Sequence, residues 1–115
     1  MNTFLKITAI VSLLFFQFSC KTAIDISPKT ATIIVPAKGE IKLFDAIEHN
    51  SFSINLTNKS TRNSCEAYVV KGGNKKWISP SLLANKQLDF SVASSAYVLL
   101  QNYSDENVSV VYTID

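Results

Sequence analysis

The sequence predicts a small all-β domain, an antiparallel two-layer β-sandwich of seven or eight strands, and three observations predict it. From Ala31 onward the apolar residues recur with a period of two. No stretch keeps helical spacing for the roughly ten residues a stable helix needs. Turn-forming residues break the alternation at intervals that suit short strands.

Taken in order, Thr32 to Val35 is the first strand, apolar on both faces, and Pro36 to Gly39 ends it. Ile41 to Ile47 is the next strand candidate, although Asp45 to His49 can also close into a short helix. Ser51 to Asn58 is the clearest strand: Phe52, Ile54 and Leu56 alternate with Ser53, Asn55 and Thr57, giving one dry face and one wet face. A turn over Asn58 to Asn63 leads to Ala67 to Val70, again apolar on both faces. Gly72-Gly73, in the turn Gly72 to Lys75, lacks both the Lys-Ser/Thr ending of a phosphate loop and a following helix, so it reads as a hairpin turn. Ser79 to Asn85 has two readings, one helical turn begun by Pro80 behind a Ser79 cap or an apolar loop plugging one end of the sandwich. Gln87 to Ala93 sets Leu88, Phe90 and Val92 against Asp89, Ser91 and Ala93. Tyr97 to Leu100 is apolar on both faces, Asn102 to Asn107 is a polar turn, and Val108, Val110, Tyr112 and Ile114 repeat the alternation to the C-terminus. Strands apolar on both faces are expected between packed layers. Greek-key connections suit this order, and a small closed barrel would give nearly the same linear pattern.

The first 19 residues, MNTFLKITAIVSLLFFQFS, stand apart. Lys6 supplies a positive start, Ile7 to Phe18 an apolar run interrupted only by Thr8, Ser12 and Gln17, and Ser19 a small residue before Cys20. The run is shorter than the roughly 20 apolar residues a membrane-spanning helix takes. This segment, ending in Ser19-Cys20, resembles the signal and lipobox of a bacterial lipoprotein of the Bacteroidota type. The resemblance implies cleavage after residue 19, fatty acylation of Cys20 and attachment to the cell envelope, at the outer membrane. Lys21 is similar to the start of the surface-export signal of that group. Residues 20–30, with Pro28 and no periodicity, then read as the lipidated Cys and a tether, and residues 31–115 as the domain. No family resemblance is found for the domain itself.

Cleavage there would remove one basic residue, Lys6, from the 11 basic and 9 acidic side chains, leaving a balance near +1. Such a chain has no pull toward nucleic acid or strong attraction to anionic lipid. The densest basic spot, Lys71, Lys75 and Lys76 around the two glycines, reads as a solvated turn or as an anion or polysaccharide site. The two cysteines, Cys20 and Cys65, admit a second reading: ordinary cleavage followed by a disulfide between them, as small exported domains often require.

Hydrolysis needs a nucleophile, a base and a group that orients the base, and there is one histidine. His49, near Asp45, Glu48 and Ser51, reads as a surface turn residue. Cys65, alternating with Ala67 and Val69, reads as a small buried side chain or half of a disulfide. No Cys or His pair has metal-ligand spacing and the carboxylates form no calcium loop, so no metal or cofactor is expected. Aromatic rings are the remaining carriers of function, because exposed rings can stack on sugars or anchor a protein. Of Trp77, Tyr68, Tyr97, Tyr103 and Tyr112, the alternation assigns Tyr97 and Tyr112 to the core. Trp77, after Lys75 and Lys76, and Tyr103, in a polar loop, are the candidate ligand-binding residues. Sequons at Asn55, Asn58, Asn102 and Asn107 are ascribed to an Asn- and Ser-rich composition.

The expectation is therefore a non-enzymatic lipoprotein held at the envelope by Cys20, acting as a binding or accessory module for a protein or glycan. Its rival is a soluble, disulfide-linked secreted module that binds carbohydrate or inhibits an enzyme. A minor hydrolase using His49 is the third class.

Overall fold

A computed structural model describes residues 29–115; Cys20, the signal segment and most of the tether lie outside the described residues. Eight strands follow in order: β1 (Thr30–Val35), β2 (Glu40–Leu43), β3 (Phe52–Asn58), β4 (Cys65–Lys71), β5 (Asn74–Leu82), β6 (Gln87–Val92), β7 (Tyr97–Gln101) and β8 (Val108–Ile114). They form two four-stranded antiparallel sheets, ordered β1-β8-β3-β6 and β2-β7-β4-β5. The pairs β1 with β8, β2 with β7, β3 with β6 and β4 with β5 are nested about the β4–β5 hairpin. That nesting makes the sandwich a jelly roll, the doubled Greek-key solution.

The alternation in β3, β6 and β8 works as read. Ile54, Leu56, Leu88, Val92, Val108, Val110, Tyr112 and Ile114 point into the core, where Leu43, Cys65, Ala67, Leu82, Val98 and Leu100 of the second sheet meet them. Each large aliphatic side chain buried here contributes about 1.5–3 kcal/mol. Three expectations need correction. Thr32 to Val35 is not sandwiched between layers but belongs to an edge strand, so Ile34 is exposed while Val35 is buried. Asp45 to His49 forms no helix: β2 stops at Leu43, and Phe44 and Ala46 take positive φ values of 66° and 61°. Ser79 to Asn85 is mostly strand rather than a helical turn or plug. β5 carries two more residues than β4 between the pairs Ala67–Ile78 and Cys65–Leu82. Pro80, behind a cis peptide bond, sits in that bulge on an edge strand, the position where a sheet tolerates a missing N–H. The Gly72-Gly73 hairpin is as expected: Lys71 pairs with Asn74, and both glycines adopt the positive φ, 57° and 84°, that a two-residue primed turn demands.

Six connections cross between the sheets, and they lie beside one another in pairs. Each pair is joined by one of the three polar side chains that are buried among the described residues, His49, Asn58 and Asn102. Asn102 uses its amide N–H groups on the carbonyls of Val35, Pro36 and Glu106, at 3.1, 3.1 and 2.7 Å, tying the β1–β2 crossing to the β7–β8 crossing. Its Oδ1 accepts from the backbone N–H and hydroxyl of Ser104. Asn58 does the same for the β3–β4 and β5–β6 crossings, donating to Asn63 O and Leu82 O while Ser60 N–H donates to its Oδ1. His49 links the β2–β3 and β6–β7 crossings: Nε2 lies 2.7 Å from Ala96 O, and Ser95 N–H donates to His49 O. No buried side-chain polar atom among the described residues lacks a partner.

The Asn-x-Ser spacing at Asn58 and Asn102 thus has a structural cause, since the Ser two residues on closes a turn against the Asn oxygen. An Asn102→Ala substitution should cost about 2–3 kcal/mol by leaving buried carbonyls unpaired. Asn102→Asp, which faces the same carbonyls with acceptors, should cost at least as much. Urea unfolding midpoints of the two variants check both.

Candidate functional site

Between the sheets lie the buried side chains of the core. The outward residues of the β1-β8-β3-β6 sheet are largely Ser, Thr and Asn, typified by Asn55, whose amide donates to Gln87 and Asp89. The outward face of β2-β7-β4-β5 is different. Its register makes three rows: Glu40, Gln101 and Glu66; then Lys42, Leu99, Tyr68 and Trp77; then Tyr97, Val70 and Lys75. Rows two residues apart along a strand are about 6.8 Å apart.

Leu99 and Val70 are only 5% and 8% exposed, yet they point away from the core and are not part of it. They form a second dry patch on the outer face of this sheet. The links run diagonally between rows. Trp77 Nε1–H donates to Glu66 Oε1 at 2.7 Å, and the Ser81 hydroxyl, brought opposite Glu66 by the β5 bulge, lies 2.8 and 2.7 Å from its two oxygens. Lys75 Nζ sits 4.3 Å from the centre of the Tyr68 ring and Lys42 Nζ 5.4 Å from that of Tyr97. Tyr68 lies beside Tyr103; loss of solvent, then the neighbouring Tyr103 and the charge of Glu66, hold the Tyr68 phenol above its ordinary range.

Trp77 and Tyr103, the two rings singled out in the sequence, are 49% and 60% exposed, and Tyr68 connects them. Tyr103 stands on a clamped loop. Asn102 anchors it from within, Lys38 N–H donates to Ser104 O, and Lys38 Nζ pairs with Asp105 at 3.3 Å. Arg62 grips Glu106 through Nε and a terminal nitrogen at 3.0 and 2.6 Å. These bonds from Arg62, with one from Asn63, draw the Glu106 carboxyl below its usual range. Lys75 shares the face of Trp77. Lys76 does not, because it pairs with Val69 and has the opposite parity. Tyr97 is corrected from core to this outer face, whereas Tyr112 is in the core as expected. Tyr68, one of the five aromatic candidates, and Glu66, which the sequence does not single out, also lie on this face. The signal for Tyr68 was available: a two-residue turn at Gly72-Gly73 sets Tyr68 opposite Trp77 and Val70 opposite Lys75 by simple counting.

The residues of the hydrolase reading are both committed elsewhere. His49 is buried, not on a surface turn, and packs edge-on against Phe44 and Phe52. Both ring nitrogens face carbonyl oxygens at 2.7 Å, Asn50 O and Ala96 O. A neutral ring can donate to only one of them, and neither nitrogen points to solvent. Cys65 is free and fully buried, and burial, then the charge of Glu66, pushes its thiol up to about 12. Among the described residues no three His, Cys, Asp or Glu side chains gather where they could hold a metal ion, and no helix is long and apolar enough to cross a membrane.

No family model matches the sequence, and a search of curated proteins finds no relative. Solved structures are similar in fold. The crystal structure of PirA superposes with a TM-score of 0.58 at 9% identity, over 79% of this chain and 97% of that one. Drosophila melanogaster CENP-C bound to CAL1 gives 0.55 at 8% identity, over 80% and 68%. The Drosophila melanogaster CENP-C cupin domain gives 0.53 at 8%, over 80% and 64%. The chain therefore has a cupin-like β-sandwich fold. At such identities the likeness concerns the fold alone.

Cys65 carries a pH signature. Its proton is held up to about 12 in the native state against 9.0 ordinarily, so above pH 9 the unfolded chain binds fewer protons and native stability falls. The raised phenols of Tyr68 and Tyr112 act in the same direction at somewhat higher pH. Denaturant midpoints should decline from pH 9 to 11, less steeply in Cys65→Ala than in wild type. At pH 8 a thiol reagent should label Cys65 only after denaturant is added.

Proposed function

We propose that the protein is a non-enzymatic binding module of the bacterial cell envelope, held at the membrane by acyl chains on Cys20 and presenting the outer face of β2-β7-β4-β5 to its partner. The observation that carries the binding reading is the strip Trp77, Tyr68 and Tyr103, two exposed rings flanking a half-buried one, held by Glu66, Lys75 and a clamped loop. Exposed aromatic area costs free energy in water, and fixing it beforehand lowers the entropy lost on binding. Non-enzymatic action is supported by the places of His49 and Cys65, whose reactive atoms face backbone or core.

The state of Cys65 supports the anchor over the staple. A disulfide from Cys20 would have to form inside the core, at a sulfur packed between the sheets, whereas an acylated Cys20 leaves Cys65 as found. Burying an acyl chain in a membrane yields about 0.8 kcal/mol per CH₂, and two or more chains hold a protein stably.

The test is the mass of the intact protein recovered from membranes of its own cells. The expected chain starts at Cys20 and carries acyl mass, and Cys20→Ser moves to the soluble fraction with an unchanged urea midpoint. An unacylated chain two hydrogens lighter than its sequence mass would replace the anchor with the secreted, disulfide-linked alternative.

A further inference from the structure

Resting on that reading and naming its ligand, we infer that the outer face of β2-β7-β4-β5 is a site for a neutral glycan, with Trp77 and Tyr103 as stacking platforms and Glu66 with Gln101 as hydroxyl-binding groups. A pyranose offers two kinds of surface: a ring face of C–H bonds and an edge of hydroxyls. The face carries both complements in neighbouring rows, rings in one and a carboxylate beside an amide in the next.

Glu66 is a partly used acceptor. Its two oxygens offer about four lone-pair directions, and the protons aimed at them come from one indole N–H and one serine hydroxyl. Half of its capacity is left for ligand hydroxyls. The Gln101 amide, paired in register with Glu66, makes no side-chain hydrogen bond among the described residues, so it offers both a donor and an acceptor.

Charge balance favours an uncharged ligand. Lys42 and Lys75 are matched on this face by Glu40 and Glu66, so no net sign is presented to an ionic polymer. Both lysines are also held over tyrosine rings. A protein partner would be expected to seek aliphatic contact area, but the aliphatic residues of the face, Leu99 and Val70, are already buried, and what reaches solvent is aromatic or hydrogen-bonding.

Trp77 is the only tryptophan of the chain and reports its own occupancy. The experiment is affinity electrophoresis of the full-length protein in gels containing a neutral glucan, mannan, xylan or galactan, followed by Trp77 fluorescence titration with oligosaccharides of any retarding polymer. The expected result is retardation by a neutral polymer and a shift of Trp77 emission. Read from the electrophoretic retardation, Trp77→Phe, Tyr103→Ala and Glu66→Gln should each raise Kd about tenfold or more, while Thr32→Ala on the opposite sheet leaves it unchanged. Retardation only by anionic polymers, self-association through this face, or no retardation by any neutral polymer would overturn the glycan assignment. An acylated mature chain with no glycan affinity would remove the ligand and keep the anchored module; glycan affinity in an unacylated chain would do the reverse.

Discussion

Everything in this domain depends on closing crossings between two sheets in the presence of backbone that has left its strands. A jelly roll makes six such crossings, and every carbonyl or N–H turned inward there must find a partner without water. Three side chains meet that demand. Each offers more than one hydrogen-bonding position, and each joins two crossings far apart in sequence, Asn102 reaching back to Val35 and His49 forward to Ala96. Asn is suited to the task because its amide gives donors and an acceptor from one small planar group. The apolar core supplies the bulk of the driving force, and the three polar groups, with backbone bonds such as Asn102 N–H to Gly39 O, hold the paired crossings together.

The two outer faces then show how one scaffold presents unlike surfaces. The hydroxyl- and amide-bearing face of β1-β8-β3-β6 satisfies itself through short local bonds such as Asn55 to Asp89. The other face is laced between rows, with a carboxylate orienting an indole and ammonium groups resting on phenol rings. The lacing rests on the bulge around Pro80, since without its extra residues Ser81 would not stand opposite Glu66. An irregularity in one edge strand is thereby built into the geometry of the aromatic strip.

Much of the architecture was legible because β3, β6 and β8 each have one wet face and one dry face, so alternation alone gave their orientation. It was less legible where an apolar outer face imitates a buried strand, as Tyr97 and Leu99 do, or where an edge strand such as β1 keeps aliphatic residues toward solvent. The roles of His49, Asn58 and Asn102, which pin the crossings, are hidden for a related reason. A histidine on a turn and an Asn-x-Ser triplet look like surface features, and burial becomes evident only when two remote crossings meet over them. The candidate site was half visible: Trp77 and Tyr103 stood out by their polar neighbours, and Tyr68 followed from the glycine turn. Glu66 depended on a bulge that no local pattern announces.

The nested pairing also gives the domain a direction. β1 enters at the end that carries the Gly72-Gly73 hairpin and the His49 pin, and Thr30 lies opposite Thr113 there. The loops bearing Tyr103, Arg62 and Glu106 close the other end. For a chain tied down through Cys20, the leash therefore leaves from the base while Tyr103 stands at the tip, and the aromatic strip runs from tip toward base along one flank. Under the proposed anchor and ligand, such a mast would hold its rings clear of the lipid surface and open from the side, and would grip a long polymer lying parallel to the membrane without either of its ends being found.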